Sequence, residues 1–222
     1  MLHDSEGPLP QLSQNIPTSL RINNLAQTSR YNGSANLFNL FENVLSVAVL
    51  DYDRLSDCYD ELYGEEQLSK YRAAVNMVGH LEFSCVLDVG CGTGLFLRFL
   101  REKGWTSEYV GVDVSSGMLA KALEKADASS HVVMADAHHL PFRDNAFPIL
   151  FSFTVLHHLN TSQFLAEASR VCGKLMVVTQ HKRLSPRLEN NVCDSETVDE
   201  ILVGEPSVFR KAADSCGTYS LP

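Results

Sequence analysis

No two of the six cysteines form a Cys-x-x-Cys pair, and a single tryptophan stands in 222 residues. Nor does any apolar run reach the ~20 residues needed to span a bilayer. The scattered thiols, Cys58, Cys85, Cys91, Cys172, Cys193 and Cys216, lack the spacing of a zinc site or a disulfide framework. They read as reduced side chains of an intracellular, cytoplasmic protein, with no metal expected. The longest apolar stretch, 37–50, is broken by Asn39, Glu42, Asn43 and Ser46, so neither a transmembrane helix nor a secretory signal is expected. Positive charge is short as well: 18 Lys and Arg face 27 Asp and Glu, a net charge of −9. That balance removes any general attraction to nucleic-acid backbones or anionic membranes. The one local basic cluster, Lys182, Arg183 and Arg187, reads as a solvated loop.

What is present suits one core with an appendage, since 45% of the residues are hydrophobic. Residues 1–35 are rich in Ser, Asn, Gln and Pro and read as a flexible tail. No acid stands between Gly7 and Phe41 while Arg21 and Arg30 do, a faint likeness to an organelle transit peptide that Asp4 and Glu6 oppose. Residues 36–80 form a helical extension. Leu37, Phe38, Leu40, Phe41, Val44, Leu45 and Ala48 recur at helical spacing, and a second helix is predicted over 65–78. Between them "YDRLSDCYDELYGEEQ" mixes Tyr52, Tyr59 and Tyr63 with acids. It reads as an amphipathic helical segment whose rings pack on the domain. The alternative is a lid over a ligand mouth, with Tyr59 and Tyr63 toward the substrate.

Residues 81–180 alternate. Strands are predicted at 85–89, 109–114, 131–135, 149–154 and 175–179, and helices at 94–103, 117–126 and 161–170. Short β-rich runs separated by helices of this length predict an α/β fold, a doubly wound, mostly parallel sheet covered on both faces.

In such sheets ligands bind beyond the carboxyl ends of the strands, and the first strand-to-helix turn is the usual cradle. Here that turn is "VLDVGCGTGLFL", with Gly90, Gly92 and Gly94. A dinucleotide fingerprint counted from Gly90 would need a small residue where Leu95 stands, and the Gly-Lys-Ser/Thr ending of a phosphate loop is missing. Asp88 would repel a pyrophosphate but suits an ammonium or a sulfonium.

"VLDVGCGTG" resembles the first motif of the class I S-adenosylmethionine-dependent methyltransferases. "YVGVDVSSGML", "MADAHHLPF" and "FSFTVLHHL" resemble the later motifs in order, so the likeness covers residues from about 50 to 180. It implies a Rossmann-like methyltransferase fold and S-adenosyl-L-methionine as cofactor, held by Asp88, Gly90, Cys91, Gly92 and Gly94 at the turn. It further implies Asp113 on the ribose hydroxyls with Val114 beside it, Asp136 and Ala137 at the adenine, and Phe153 at the end of the fourth strand. The side chains nearest the acceptor would be Thr154, His157 and His158, of which a histidine is a candidate proton acceptor. The adjacent His138 and His139 lack a partner set for a metal.

The Asn/Asp-Pro-Pro-Tyr/Phe turn of enzymes that methylate planar amino groups is missing from "FTVLHHL". The text is closer to the branch containing quinone-precursor and other small-molecule methyltransferases, so a small-molecule acceptor is favoured. An RNA or protein acceptor reached through a partner subunit stays open, as does an idle methyltransferase-like scaffold. A nicotinamide-dependent oxidoreductase is disfavoured by Leu95. Residues 181–222 form a divergent C-terminal segment, mostly polar with brief apolar runs at 201–203 and 208–209, which predicts a sheet with incomplete C-terminal strands.

Overall fold

Valine and leucine crowd Cys85–Val89, and the strand they form, β1, is covered on both faces, as a near-continuous apolar run predicts for a central parallel strand. The computed structural model describes residues 52–79, 83–181, 192–193 and 199–215. Around β1 lie β2 (Glu108–Asp113), β3 (Ser130–Met134), β4 (Phe147–Ser152), β5 (Cys172–His181), β6 (Val192–Cys193) and β7 (Asp199–Gly204). They form a seven-stranded sheet in the order β3-β2-β1-β4-β5-β7-β6. The first five strands run parallel, β7 is antiparallel to β5, and β6 is antiparallel to β7. Strand order reverses between β1 and β4, which places the glycine turn and the end of β4 at the topological switch point.

The helices are α1 (Tyr52–Leu55), α2 (Tyr59–Val78), α3 (Leu95–Glu102), α4 (Ser116–Lys125), α5 (Thr161–Val171) and α6 (Pro206–Ser215), with a 3₁₀ turn at Leu156–His158. Alternation along each strand sends Leu87, Leu150 and Val178 to one face, against Phe164 and Leu165 of α5 and Phe209 of α6. Val86, Ile149 and Val177 go to the other, against Tyr71 of α2 and Phe96 and Leu100 of α3. Ser115 caps α4 by accepting the Met118 amide, and Asn160 caps α5 by accepting that of Gln163. Among the described residues no helix is long and apolar enough to cross a membrane.

Two expectations need correction. The helix read at 65–78 starts at Tyr59, because Asp60 and Glu61 in its first turn favour a helix N-terminus and Gly64 sits on its buried face. The polar text after residue 181 predicts a sheet cut short, yet β7 adds six antiparallel pairs to β5, Met176↔Gly204 through His181↔Asp199. Its first two residues, Asp199 and Glu200, are buried acids that a hydrophobic pattern does not mark. Only the outermost strand is short, β6 having two residues. The tail at 1–35, the periodic helix at 37–48 and the basic cluster at 182–187 lie outside the described residues.

Candidate functional site

The turn after β1 is built by backbone before any side chain acts. Gly90 and Cys91 both donate their amides to the Val112 carbonyl of β2, at 2.7 and 3.0 Å, which folds the chain sharply back. Gly90 has φ +78°, and a Cβ there would lie 2.2 Å from Cγ2 of Val155. Gly94 opens α3 with its Cα face against Ala122 of α4, whereas Gly92 has no atom near where its Cβ would be. Two of the three glycines are therefore required by packing, and Gly92 is the one facing free space. Gly90→Ala is expected to destabilise the fold by about 2 to 3 kcal/mol through left-handed strain plus overlap with Val155. Gly92→Ala should cost only about 1 kcal/mol. Urea unfolding of the two variants checks the ordering.

Asp113, at the end of β2, ties the turn to the next loop. One carboxylate oxygen accepts the Gly92 amide and the other the Ser115 amide, each at 2.9 Å. Burial pushes this carboxyl up, and the two amide bonds oppose the shift. Each oxygen keeps a lone pair for a further donor. Asp88 lies one strand over, almost fully buried, and accepts the Tyr109 hydroxyl. Burial pushes its carboxyl up to about 7, with the Tyr109 bond opposing and the nearby Asp113 adding. Because that value exceeds the unfolded one, Asp88 stabilises the ligand-free fold most in acid, and the contribution is lost as pH rises through about 7. Cys91 is buried, its sulfur at the point that a side chain on Gly111 would need.

The segment read as an amphipathic or lid element is fastened to the domain through Asp53 and Asp60. Asp53 accepts the Ser115 hydroxyl at 2.6 Å and the Gly117 amide at 2.7 Å, which holds its carboxyl below the usual range. Asp60 accepts the Thr93 hydroxyl of the glycine turn and pairs with Lys125 at 3.1 Å. Both loops beside the turn are thereby fastened to α1 and the start of α2. Tyr59, Gln67, Tyr71 and Phe153 close over Asp88 and Gly92, leaving a cavity of ≈ 20 Å³, room for one water molecule. A nucleoside at this place has to displace side chains of α2. Tyr63 packs against Tyr59, ring centroids 5.1 Å apart, and does not line the cavity.

At the end of β4, Thr154 has φ +59°, an uncommon value for a β-branched residue. It is held there by its neighbours: its amide donates to the Thr179 hydroxyl at 2.7 Å, and its own hydroxyl accepts from Lys70 at 2.9 Å and Gln67 at 3.1 Å. Lys70 is wholly buried and also pairs with Glu66 at 2.7 Å and Asp199 at 2.8 Å. His157 and His158 follow on the 3₁₀ turn at the surface, their rings 3.7 Å apart. Burial, with His158 adding, pushes His157 down to about 4; burial also lowers His158. These shifts disfavour the imidazolium form, leaving ring nitrogens that can accept a hydrogen bond.

Val114, just past the end of β2, is 73% exposed, and Ala137, past β3, is partly buried against the core. Asp136 is spent on its own loop, accepting the His138 amide at 2.8 Å and pairing with its ring nitrogen at 2.7 Å. The other nitrogen of His138 accepts the Asn160 amide, so the Asp136 contact carries the proton. Of the residues singled out in the sequence, the structure brings Asp88, Gly90, Cys91, Gly92, Phe153 and Tyr59 around one cavity. Sequence reasoning missed Asp53, Asp60, Gln67 and Lys70. For the last two a signal existed, since they share a buried stripe with Gly64, Tyr71, Ala74 and Val78 at spacings of three and four.

Residues 87–174 match the family described as a methyltransferase domain. Among curated proteins, the chain is 34% identical over 120 residues to a malonyl-[acyl-carrier protein] O-methyltransferase from Hamiltonella defensa, covering 54% of this chain and 44% of that one. It is 32% identical over 136 residues to a demethylmenaquinone methyltransferase from Thermotoga maritima, covering 57% and 58%. The chain thus spans about half the length of these relatives. Among solved structures, it is similar in fold, with a TM-score of 0.53, to the complex of the Haloferax volcanii Trm112 methyltransferase activator with a methyltransferase; identity is 22%, over 59% of this chain and 60% of that one.

Proposed function

We propose that this chain, whose residues 87–174 match a methyltransferase domain, is a class I S-adenosylmethionine-dependent methyltransferase that moves the methyl group of S-adenosyl-L-methionine to a small-molecule acceptor. The observation that carries this reading is the junction of Asp113 with the Gly92 amide, which sets the acid of β2 and the open glycine of the turn at one place, one strand from Asp88. The donor set fits the cofactor. Asp113 has lone pairs left for ribose hydroxyls, Gly92 leaves space for close approach, and Asp88 offers charge to an ammonium. Val114, Asp136 and Ala137 would border the adenine, and Phe153 with Tyr59 and Tyr71 the methionine end.

When bound, the cofactor supplies an electrophilic methyl on a good leaving group. The protein's share is alignment and exclusion of water. Helix α2, fastened through Asp60 to the turn, covers the methionine end and keeps solvent out. His158, whose Nε2 already meets a hydroxyl, is placed to take the proton that an acceptor gives up. Thr154 is committed to Lys70 and Gln67 and acts as a fixed wall rather than a base.

The small-acceptor reading is supported by the likeness to a demethylmenaquinone methyltransferase, whereas the name of the malonyl-[acyl-carrier protein] O-methyltransferase points to a malonyl group on a carrier protein. A macromolecular acceptor with a partner subunit is the second reading, favoured by the activator bound to the structural neighbour. Incubation with methyl-labelled cofactor and fractionated extract separates them. Label in small molecules supports the proposal, label in RNA or protein supports the second, and cofactor binding with no transfer at all points to an idle scaffold.

Cofactor binding should depend on pH. A ligand bringing an ammonium and a sulfonium selects ionised Asp88, so below its value of about 7 each binding event must release a proton. Affinity is expected to rise about tenfold between pH 6 and pH 8. Calorimetry at the two pH values checks this, and Asp88→Asn should flatten the profile.

A further inference from the structure

Tyr52 lies against His158, one of the side chains that the methyltransferase reading puts nearest the acceptor. Its hydroxyl is 2.6 Å from Nε2 of His158, and its ring meets the imidazole edge-on, centroids 5.3 Å apart at 85°. The His157 ring lies tilted beyond, its centroid 3.7 Å from that of His158. On its other side the phenol feels the carboxylate of Asp113 and the hydroxyl of Tyr63. Its hydrogen bond and its ring contact are both with His158 at the end of β4.

This is not a loose surface ring. The next residue, Asp53, is fastened to Ser115 and Gly117 through its carboxylate, and its carbonyl accepts the Ser56 hydroxyl at 2.8 Å. A Cβ on Gly117 would lie 2.7 Å from that same carbonyl oxygen, so the chain at Asp53 sits directly on the start of α4. Burial holds Tyr52 up to about 12 and lowers His158, so near pH 7 a phenol donates to a neutral imidazole. Nε2 is then the acceptor, and the proton of His158 resides on Nδ1.

Resting on the methyltransferase reading above, we propose that Tyr52 is a built-in stand-in for the acceptor, and that the acceptor is an aryl alcohol whose ring and hydroxyl replace those of Tyr52 against His158. The chemistry at Nε2 selects this class. A carboxylate is already ionised and would need a donor there, and an ammonium has no lone pair. An aliphatic alcohol is too weak an acid for imidazole, whereas a phenol at about 10 is within reach. The edge-on contact selects a ring. In the transfer, an oxygen lone pair of the aryl alcohol forms the O–CH₃ bond as the C–S bond breaks. The hydroxyl proton passes to Nε2 of His158, the sulfonium leaves as a neutral thioether, and the imidazolium returns the proton to solvent.

The test is titration of 1-naphthol into protein saturated with S-adenosylhomocysteine. Wild-type protein must first displace its own phenol, so Tyr52→Ala is expected to bind 1-naphthol about tenfold more tightly. Tyr52→Phe, which keeps the ring and the helix, should gain in the same direction by less. Adding His158→Ala should remove the gain, and 1-naphthoate, the ammonium form of 1-naphthylmethylamine and cyclohexanol should not show it. Equal 1-naphthol affinity in wild type and both Tyr52 variants overturns the proposal, as does an equal gain for the acid or the amine. Failure of S-adenosylhomocysteine to bind any of these proteins is a separate result, which overturns the methyltransferase reading itself.

Discussion

Replacing Lys70 with methionine is expected to lower the stability of the fold by about 3 to 5 kcal/mol, the cost of leaving a buried charge without its partner. Lys70 is 0% exposed, and its ammonium stands between Glu66, Asp199 and the Thr154 hydroxyl at 2.7, 2.8 and 2.9 Å. Without it the Asp199 carboxylate, which is itself buried, meets the methionine stem in place of a cation. Asp199 belongs to β7 and Glu66 to α2, so one side chain fastens the helix that covers the cavity to the far half of the sheet. The double variant Lys70→Met with Asp199→Leu should recover most of the loss, because an apolar pair of similar volume avoids desolvating two charges. Urea unfolding measures both. A single variant that loses less than about 1 kcal/mol would place the pair among weak surface bridges, contrary to its burial.

Asp113→Ala should weaken cofactor binding by about 1.5 to 3 kcal/mol, or roughly tenfold to 150-fold. The structure adds a reason beyond the ribose. The same carboxylate accepts the amides of Gly92 and Ser115, so alanine removes the bond that joins the turn to the loop opening α4. Asn at this position keeps one acceptor but turns an amino group toward the second amide, and its loss should approach that of Ala. Unchanged affinity in a folded Asp113→Ala protein would detach this residue from the site.

The parts of this architecture that were legible are those carried by local pattern. The apolar run at 85–89 is β1 residue for residue, and the glycine turn, Asp113 and the end of β4 lie where the alternation of strands and helices puts them. Helix α4 begins at Ser116, one residue before its predicted start, because Ser115 supplies the cap. What escaped was polar and long-range. Asp199 looks like a solvent-facing residue until the fold brings it to Lys70, and Asp53 and Asp60 look like acids on an exposed face until Ser115, Gly117 and Thr93 meet them. Gly94 has a ligand role by resemblance and a packing duty by geometry, its Cα face lying against Ala122. Hydrophobic periodicity records which faces are buried, but not which polar groups are buried in pairs.

On the proposed reading, the open glycine at 92, bounded by Asp113 and Asp88, holds the nucleoside and amino-acid parts of S-adenosylmethionine once α1 and α2 give way. Calorimetric titration with S-adenosylhomocysteine tests it most directly. One molecule should bind per chain, with Asp113→Ala markedly weaker; absence of binding by the folded wild-type protein, or equal binding by the variant, would contradict the account.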